Sequence, residues 1–186
     1  LDTKPDFEDK PDAIVVDDIE GRVDFNDVSF RYVGEVPVLD HIDLHVQPGE
    51  SIALVGETGA GKTTMTALIS RFYDVSEVSI TIDGHDVRDL QHESMARHMG
   101  LVLQDPFLFS GTVADNIRYG RPGATDDEVE EAARTVGAHE FISRLEHGYD
   151  TYLHERGLNL SVGQRQLLSF ARAMVARPRI LILDEA

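Results

Sequence analysis

The chain has 186 residues, 41% of them hydrophobic, with 17 Lys plus Arg against 34 Asp plus Glu and a formal charge of −17. That length suits one ordinary domain with a hydrophobic core, and the apolar fraction excludes a disordered chain. The negative field opposes nucleic acid, no apolar run nears the roughly 20 residues that span a bilayer, and 0 Cys leaves no disulfide framework or thiolate metal site, so the composition predicts a soluble domain with no nucleic-acid partner.

The chain opens on Leu1 and continues acidic and Pro-containing to about Glu20, which reads as a linker within a longer protein. Val23, Phe25, Val28, Phe30 and Tyr32 recur mostly at alternate positions, and Val38 to Val46 alternates similarly, predicting two antiparallel strands with one buried face. Ser51 to Val55 reads as a short apolar strand, Gly61 to Tyr73 as a helix, and Ser79 to Ile82 and Gly100 to Leu103 as further strands. A helix from Thr125 to Val136 follows, with Asp126, Asp127 and Glu128 favoured by its N-terminal dipole. Ala138 to Leu145 reads as another helix. The spacing from Val162 to Ala176 predicts a longer one, with Leu167, Phe170, Ala171, Met174 and Val175 on one face. Pro178 ends it, and Ile180 to Leu183 is apolar throughout, as expected of a strand buried in a parallel sheet.

Between the predicted third strand and first helix stands Gly56-Glu57-Thr58-Gly59-Ala60-Gly61-Lys62-Thr63, the Walker A pattern. Wrapping a triphosphate in backbone N–H groups needs glycines that turn tightly and allow close approach, and a following helix aims its dipole at the anion. Lysine occurs only at Lys4, Lys10 and Lys62, so beyond the N-terminal stretch the one ammonium sits where a compact cation reaches phosphate. Lys62 is therefore expected on the outer phosphates and the Thr63 hydroxyl on magnesium. Ile180 to Leu183 followed by Asp184 and Glu185 has the form of Walker B: Asp184 would hold the magnesium shell and Glu185 would polarise the attacking water. The 8 histidines are scattered without metal-ligand spacing.

Leu160-Ser161-Val162-Gly163-Gln164 opens the last long helix and resembles the signature motif of ABC ATPases, with Val162 in place of the usual first glycine. As a helix start it is also an N-cap, with Ser161 suited to accept from the first turn. With the Walker motifs in order, the chain resembles the nucleotide-binding domain of an ABC exporter from about Gly21 to Ala186. The resemblance implies an α/β P-loop NTPase core of RecA-like type, with an N-terminal antiparallel β-subdomain and an inserted helical subdomain. It implies a linker over 1–20, a core over 21–105 and 165–186, and a helical subdomain over about 106–164.

The same resemblance assigns ATP to Tyr32, the loop Gly56, Glu57, Thr58, Gly59, Ala60, Gly61, Lys62, Thr63 and Thr64, and to Gln104, Ser161, Gly163, Gln164 and Asp184. Tyr32 would stack on adenine, although an aromatic on a strand also reads as core. Gln104, in Val102-Leu103-Gln104-Asp105-Pro106, matches the Q-loop that senses Mg2+ and the attacking water. Thr63, Gln104 and Asp184 form the implied metal set, and Glu185, Gln104 and Lys62 the catalytic one. The implied partners are a second nucleotide-binding domain, arranged head-to-tail as homo- or heterodimer, and a transmembrane domain at the cytoplasmic face of the cell membrane. Family members continue into a D-loop, a further core strand and a switch histidine, so residues 1–186 alone are expected to turn ATP over slowly at most. A nucleotide-gated regulatory domain of a heterodimeric transporter is the alternative, with Glu185 favouring the motor and Val162 leaning the other way.

Overall fold

The computed structural model describes residues 9–32, 37–73 and 79–184. The chain divides into two compact units, Leu1–His98 and Met99–Ala186.

The first unit contains β1 (Val23–Phe30), β2 (Leu39–Val46), α1 (Lys62–Ile69), β3 (Ser79–Ile82), β4 (His85–Asp86) and α2 (His92–Ala96). The four strands form one antiparallel sheet in the order β2-β1-β3-β4. Register shifts on either side of Val28, next to Asp27 at φ +55°, break the strict alternation of β1. Phe25 and Val28 are thereby both buried although they are three positions apart. Asp83 and Gly84, at φ +50° and +82°, make the two-residue turn between β3 and β4, where an Asp-Gly pair accepts the left-handed conformation both positions need. The Asp83 carboxylate accepts from the amides of Glu20 (2.7 Å), Gly21 (3.1 Å) and Arg22 (2.8 Å), so one side chain fixes the entry to β1.

The predicted strand at Ser51–Val55 does not form: among the described residues no ladder pairs it, and Val55 is 93% exposed. Its apolar character is that of a strand buried between neighbours, and among the described residues no strand of its own unit pairs with it. The stretch from Asp9 is packed against its unit. Arg71, 2% exposed at the end of α1, donates to Asp9 and to the Leu90 carbonyl, both at 2.9 Å, and Ile14 bridges Leu90 in parallel.

The second unit contains β5 (Met99–Val102), β6 (Gly111–Thr112), α3 (Val113–Arg118), α4 (Asp126–Thr135), α5 (His139–Ile142), β7 (Tyr152–Leu153), α6 (Val162–Val175) and β8 (Ile180–Leu183). β5 and β8 are parallel, and β6 and β7 are antiparallel. Val113, Ile117, Val129, Ala133, Ile142 and Leu153 enclose Leu168, Ala171 and Val175 of α6. The buried face of α6 is thus led by Leu168, with Leu167, Phe170 and Met174 only partly buried. Ser169 and Ala173 are buried too, so α6 is covered on more than one side and the amphipathic phase read from sequence is offset. β8 is less enclosed than its composition predicts. Ile182 is buried, while Leu181 and Leu183 are 42% and 48% exposed, because the sheet in this unit has two strands and one covered face.

No helix among the described residues is long and apolar enough to cross a membrane.

Candidate functional site

The glycine loop leads into α1 without a side-chain cap. Gly61 takes the N-cap position at φ +88°, and Met65 N donates to its carbonyl at 2.9 Å. A Cβ at Gly61 would lie 2.6 Å from Leu39 Cδ2 and 3.0 Å from the Val38 carbonyl, so both backbone conformation and space demand glycine there. Gly59 also has positive φ, at +89°. Gly56, Glu57, Thr58, Gly59 and Ala60 are exposed, and the Ala60 amide donates to Glu57 O at 3.1 Å to close the turn. Lys62 folds back over this loop and donates from Nζ to the Gly56 carbonyl at 2.8 Å and the Glu57 carbonyl at 3.0 Å. Its ammonium is therefore held against the first residues of the loop that leads into α1. Thr63 is exposed on the first turn, and Thr64 is buried beneath it.

Tyr32 lies just past β1, and its hydroxyl meets Thr64 Oγ1 at 3.0 Å. Its ring is edge-on to Phe30 and Tyr73, each with centroids 5.0 Å away, yet remains 48% exposed. Tyr32 is thus neither core nor free: one end is tied to the helix after the loop, and an aromatic surface stays open.

In the second unit, Val102 of β5 pairs with Leu183 of β8, and Asp184 N donates to Val102 O at 2.9 Å. Both strands run the same way, so Gln104 and Asp184 emerge at neighbouring carboxyl ends, the usual ligand position of a parallel sheet. Gln104 is exposed and Asp184 half-buried. Glu185 lies outside the described residues.

Ser161 caps α6 in a reciprocal box. Its Oγ accepts from Gln164 N at 3.2 Å, while Gln164 Oε1 accepts from Ser161 N at 2.9 Å. Leu160 is buried just ahead of the cap, and Val162 is exposed. Around Gly163 a Cβ would meet nothing within 4 Å, so the fold of this chain does not itself require glycine there.

Asn116 and Arg172 organise the segment after Gln104. Asn116 is almost fully buried in α3; its Oδ1 accepts from Phe109 N at 2.9 Å, and its Nδ2 donates to Phe109 O at 2.9 Å and Thr112 O at 3.0 Å. Arg172 of α6 donates from Nε to Asn116 O (2.9 Å), from Nη1 to Phe107 O (2.7 Å) and from Nη2 to Asn116 Oδ1 (3.0 Å). Its guanidinium also faces the rings of Phe109 and Tyr119 at 5.3 and 5.7 Å. Burial draws its pKa below the ordinary arginine value. The available signal was an arginine set four positions after Leu168, on the apolar stripe of α6.

The hydroxyl, amide and carboxylate oxygens of Thr63, Gln104 and Asp184 are hard donors of the kind Mg2+ takes alongside water and phosphate oxygens. No group of three or more His, Cys, Asp or Glu able to hold a metal ion occurs among the described residues.

A family described as ABC transporter matches residues 39–186. An uncharacterized ABC transporter ATP-binding protein of Bacillus subtilis, YknV, is 50% identical over 186 residues, covering 100% of this chain and 31% of its own length. The beta-(1→2)glucan export ATP-binding/permease protein NdvA of Nitrobacter winogradskyi is 48% identical over 100% of this chain and 30% of its own. Among solved structures, a bacterial Atm1-family ABC exporter with ATP bound superposes with a TM-score of 0.94 at 41% identity, over 99% of this chain and 32% of that one. The chain therefore spans about a third of the length of these relatives. Its α/β fold is that of their P-loop nucleotide-binding domain.

Proposed function

We propose, from the premise that the chain belongs to the ABC transporter family, that it is the ATP-binding and ATP-hydrolysing motor domain of an exporter. The observation that carries this reading is the start of α1, an uncapped helix N-terminus that demands glycine at position 61 and has Lys62 folded over it. Backbone N–H groups of Gly59 to Thr63 receive the β- and γ-phosphates, and Lys62 exchanges its two carbonyl acceptors for phosphate oxygens. Tyr32 offers its open ring face to adenine.

Thr63, Gln104 and Asp184 would hold Mg2+, with Thr64 supporting the loop. When bound, the ion would supply neutralisation of the negative charge on the phosphates. Glu185 takes a proton from the attacking water, and Gln104 orients that water. Ser161, Gly163 and Gln164 serve the ATP held by a second nucleotide-binding domain, homo- or heterodimeric and head-to-tail. A glycine at 163 that its own fold does not need suits a surface approached by another chain's phosphate. The domain boundaries follow the same reading: a tether over 1–20, a core over 21–105 and 165–186, and a helical part over about 106–164. The tether joins a transmembrane domain, and the motor works at the cytoplasmic face of the membrane.

Full-length protein carrying Glu185→Gln should bind ATP with unchanged affinity and release no phosphate. Phosphate release at the parental rate would remove Glu185 from the mechanism. Exposed Val162 in the signature supports the second reading, a nucleotide-gated regulatory domain with little hydrolysis of its own. Parental protein that binds ATP without turning it over would favour that reading.

A further inference from the structure

A side-chain network that spans much of the second unit centres on Arg172. It joins elements 56 and 65 residues apart, satisfying three guanidinium N–H groups on Asn116 O, Asn116 Oδ1 and Phe107 O. Two of those acceptors belong to one residue of α3, and the third belongs to the segment leading away from Gln104. Between Gln104 and Phe107 stands Pro106, whose ring fixes one torsion of that short arm. Asn116 closes the other end of the segment by bonding both polar backbone groups of Phe109. Backbone contact is equally tight: a Cβ on Gly120, beyond the end of α3, would lie 1.9 Å from the Arg172 carbonyl. The arm after Gln104, the end of α3 and the last turn of α6 are therefore locked together by packing and hydrogen bonds. Along α6, Arg172 lies about 16 Å from Ser161 at ~1.5 Å rise per residue.

We propose that Arg172 is a positioning residue for ATP hydrolysis: it ties the Gln104 arm to α6, so that Gln104 takes its working position only when the helix begun by Ser161 is in place. The inference rests on the motor reading above and deepens it. Arginine is required because a planar fork reaches three acceptors at fixed angles while lying over two aromatic rings; a lysine ammonium supplies charge without that geometry.

A mutant cycle in the full-length protein, read as steady-state ATPase kinetics, tests it. Arg172→Lys should lower kcat about tenfold, as expected for a displaced catalytic group, and leave KM for ATP unchanged within about twofold. In a Gln104→Ala background the same substitution should cost less than about twofold in kcat, since its effect passes through Gln104. Equal losses in both backgrounds, or a loss confined to KM, would overturn the proposal. Arg172→Gln, which keeps an amide donor and drops the charge, is read in the same cycle if Arg172→Lys is not recovered folded. If neither variant folds, Arg172 is a folding residue and the proposal fails. Parental protein that hydrolyses no ATP counts instead against the motor reading.

Discussion

The two helices that begin at sequence-predicted anion sites start in opposite ways. α1 begins on a left-handed glycine with no side-chain cap and no acidic residue in its first turn. α6 begins on a serine that closes a complete capping box with Gln164. Glycine in place of a capping side chain costs a helix only about a few tenths of a kcal/mol, and the burial of Thr64, Met65 and Leu68 further holds α1. What it gains is an array of N–H groups that no side chain of its own turn competes for. α6 holds its own shape and presents an exposed, self-satisfied surface. A third start, that of α4, calibrates the pair: Thr125 and Glu128 form the same kind of box at a helix with no predicted ligand.

Removing the cation from the uncapped end should have the largest effect. Lys62→Ala deletes a charge-assisted contact worth roughly 1.5–3 kcal/mol, and should weaken ATP binding on the order of 10- to 100-fold by calorimetric or fluorescence titration. Unchanged affinity would mean that the start of α1 does not hold the phosphates.

An intermediate effect separates the two boxes. Ser161→Ala and Thr125→Ala should each cost about 1 kcal/mol of stability in chemical denaturation. Only Ser161→Ala should also depress ATP turnover in the full-length protein. Equal turnover in both variants would reduce Ser161 to a cap like Thr125.

The smallest effect concerns the charged partner in the α4 box. The Arg121 guanidinium, paired with Glu128 at 2.5 Å, and the Thr125 backbone amide hold that carboxyl down to about 2 from an ordinary 4.5. A carboxylate depressed on folding stabilises the fold above its unfolded pKa and loses that contribution as pH falls toward its folded pKa. The gap in denaturation midpoint between the parental chain and Glu128→Gln should therefore be constant above about pH 4.5 and shrink toward pH 2. A gap that widens on acidification would reverse the assigned sign. The Gln164 box has no titrating partner, so replacing Gln164 should give a gap that does not follow pH in this window.

Local chemistry was legible in the sequence wherever it decided the outcome. Thr125 with its acidic first turn and Ser161 with Gln164 act within four residues of themselves, and each stands where the spacing predicts; the loop glycines were legible from their own pattern, although Gly61 is also required by Val38 and Leu39. The misreadings share a cause. The apolar run Ser51–Val55 was read as a strand from composition, but strands exist by pairing, and its unit supplies no neighbour. The face of α6 was read from one periodic stripe, whereas the helix is buried on several sides and Leu168 leads. β8 was read as fully enclosed, although a two-stranded sheet covers one face. The tether was read from its acidic composition, and nothing in that predicts that Asp9 meets the buried Arg71 across 62 positions of sequence. Arg172 was missed for the same reason, since its partners are fixed by the tertiary fold alone.

The carboxylate of Asp83 also sets how motion passes along the chain. Three successive amides, at Glu20, Gly21 and Arg22, converge on it, and Asp83 N donates back to Arg22 O at 2.9 Å. In mechanical terms this is a bearing without play. The entry to β1 and the turn between β3 and β4 are thereby held as one piece by a single side chain.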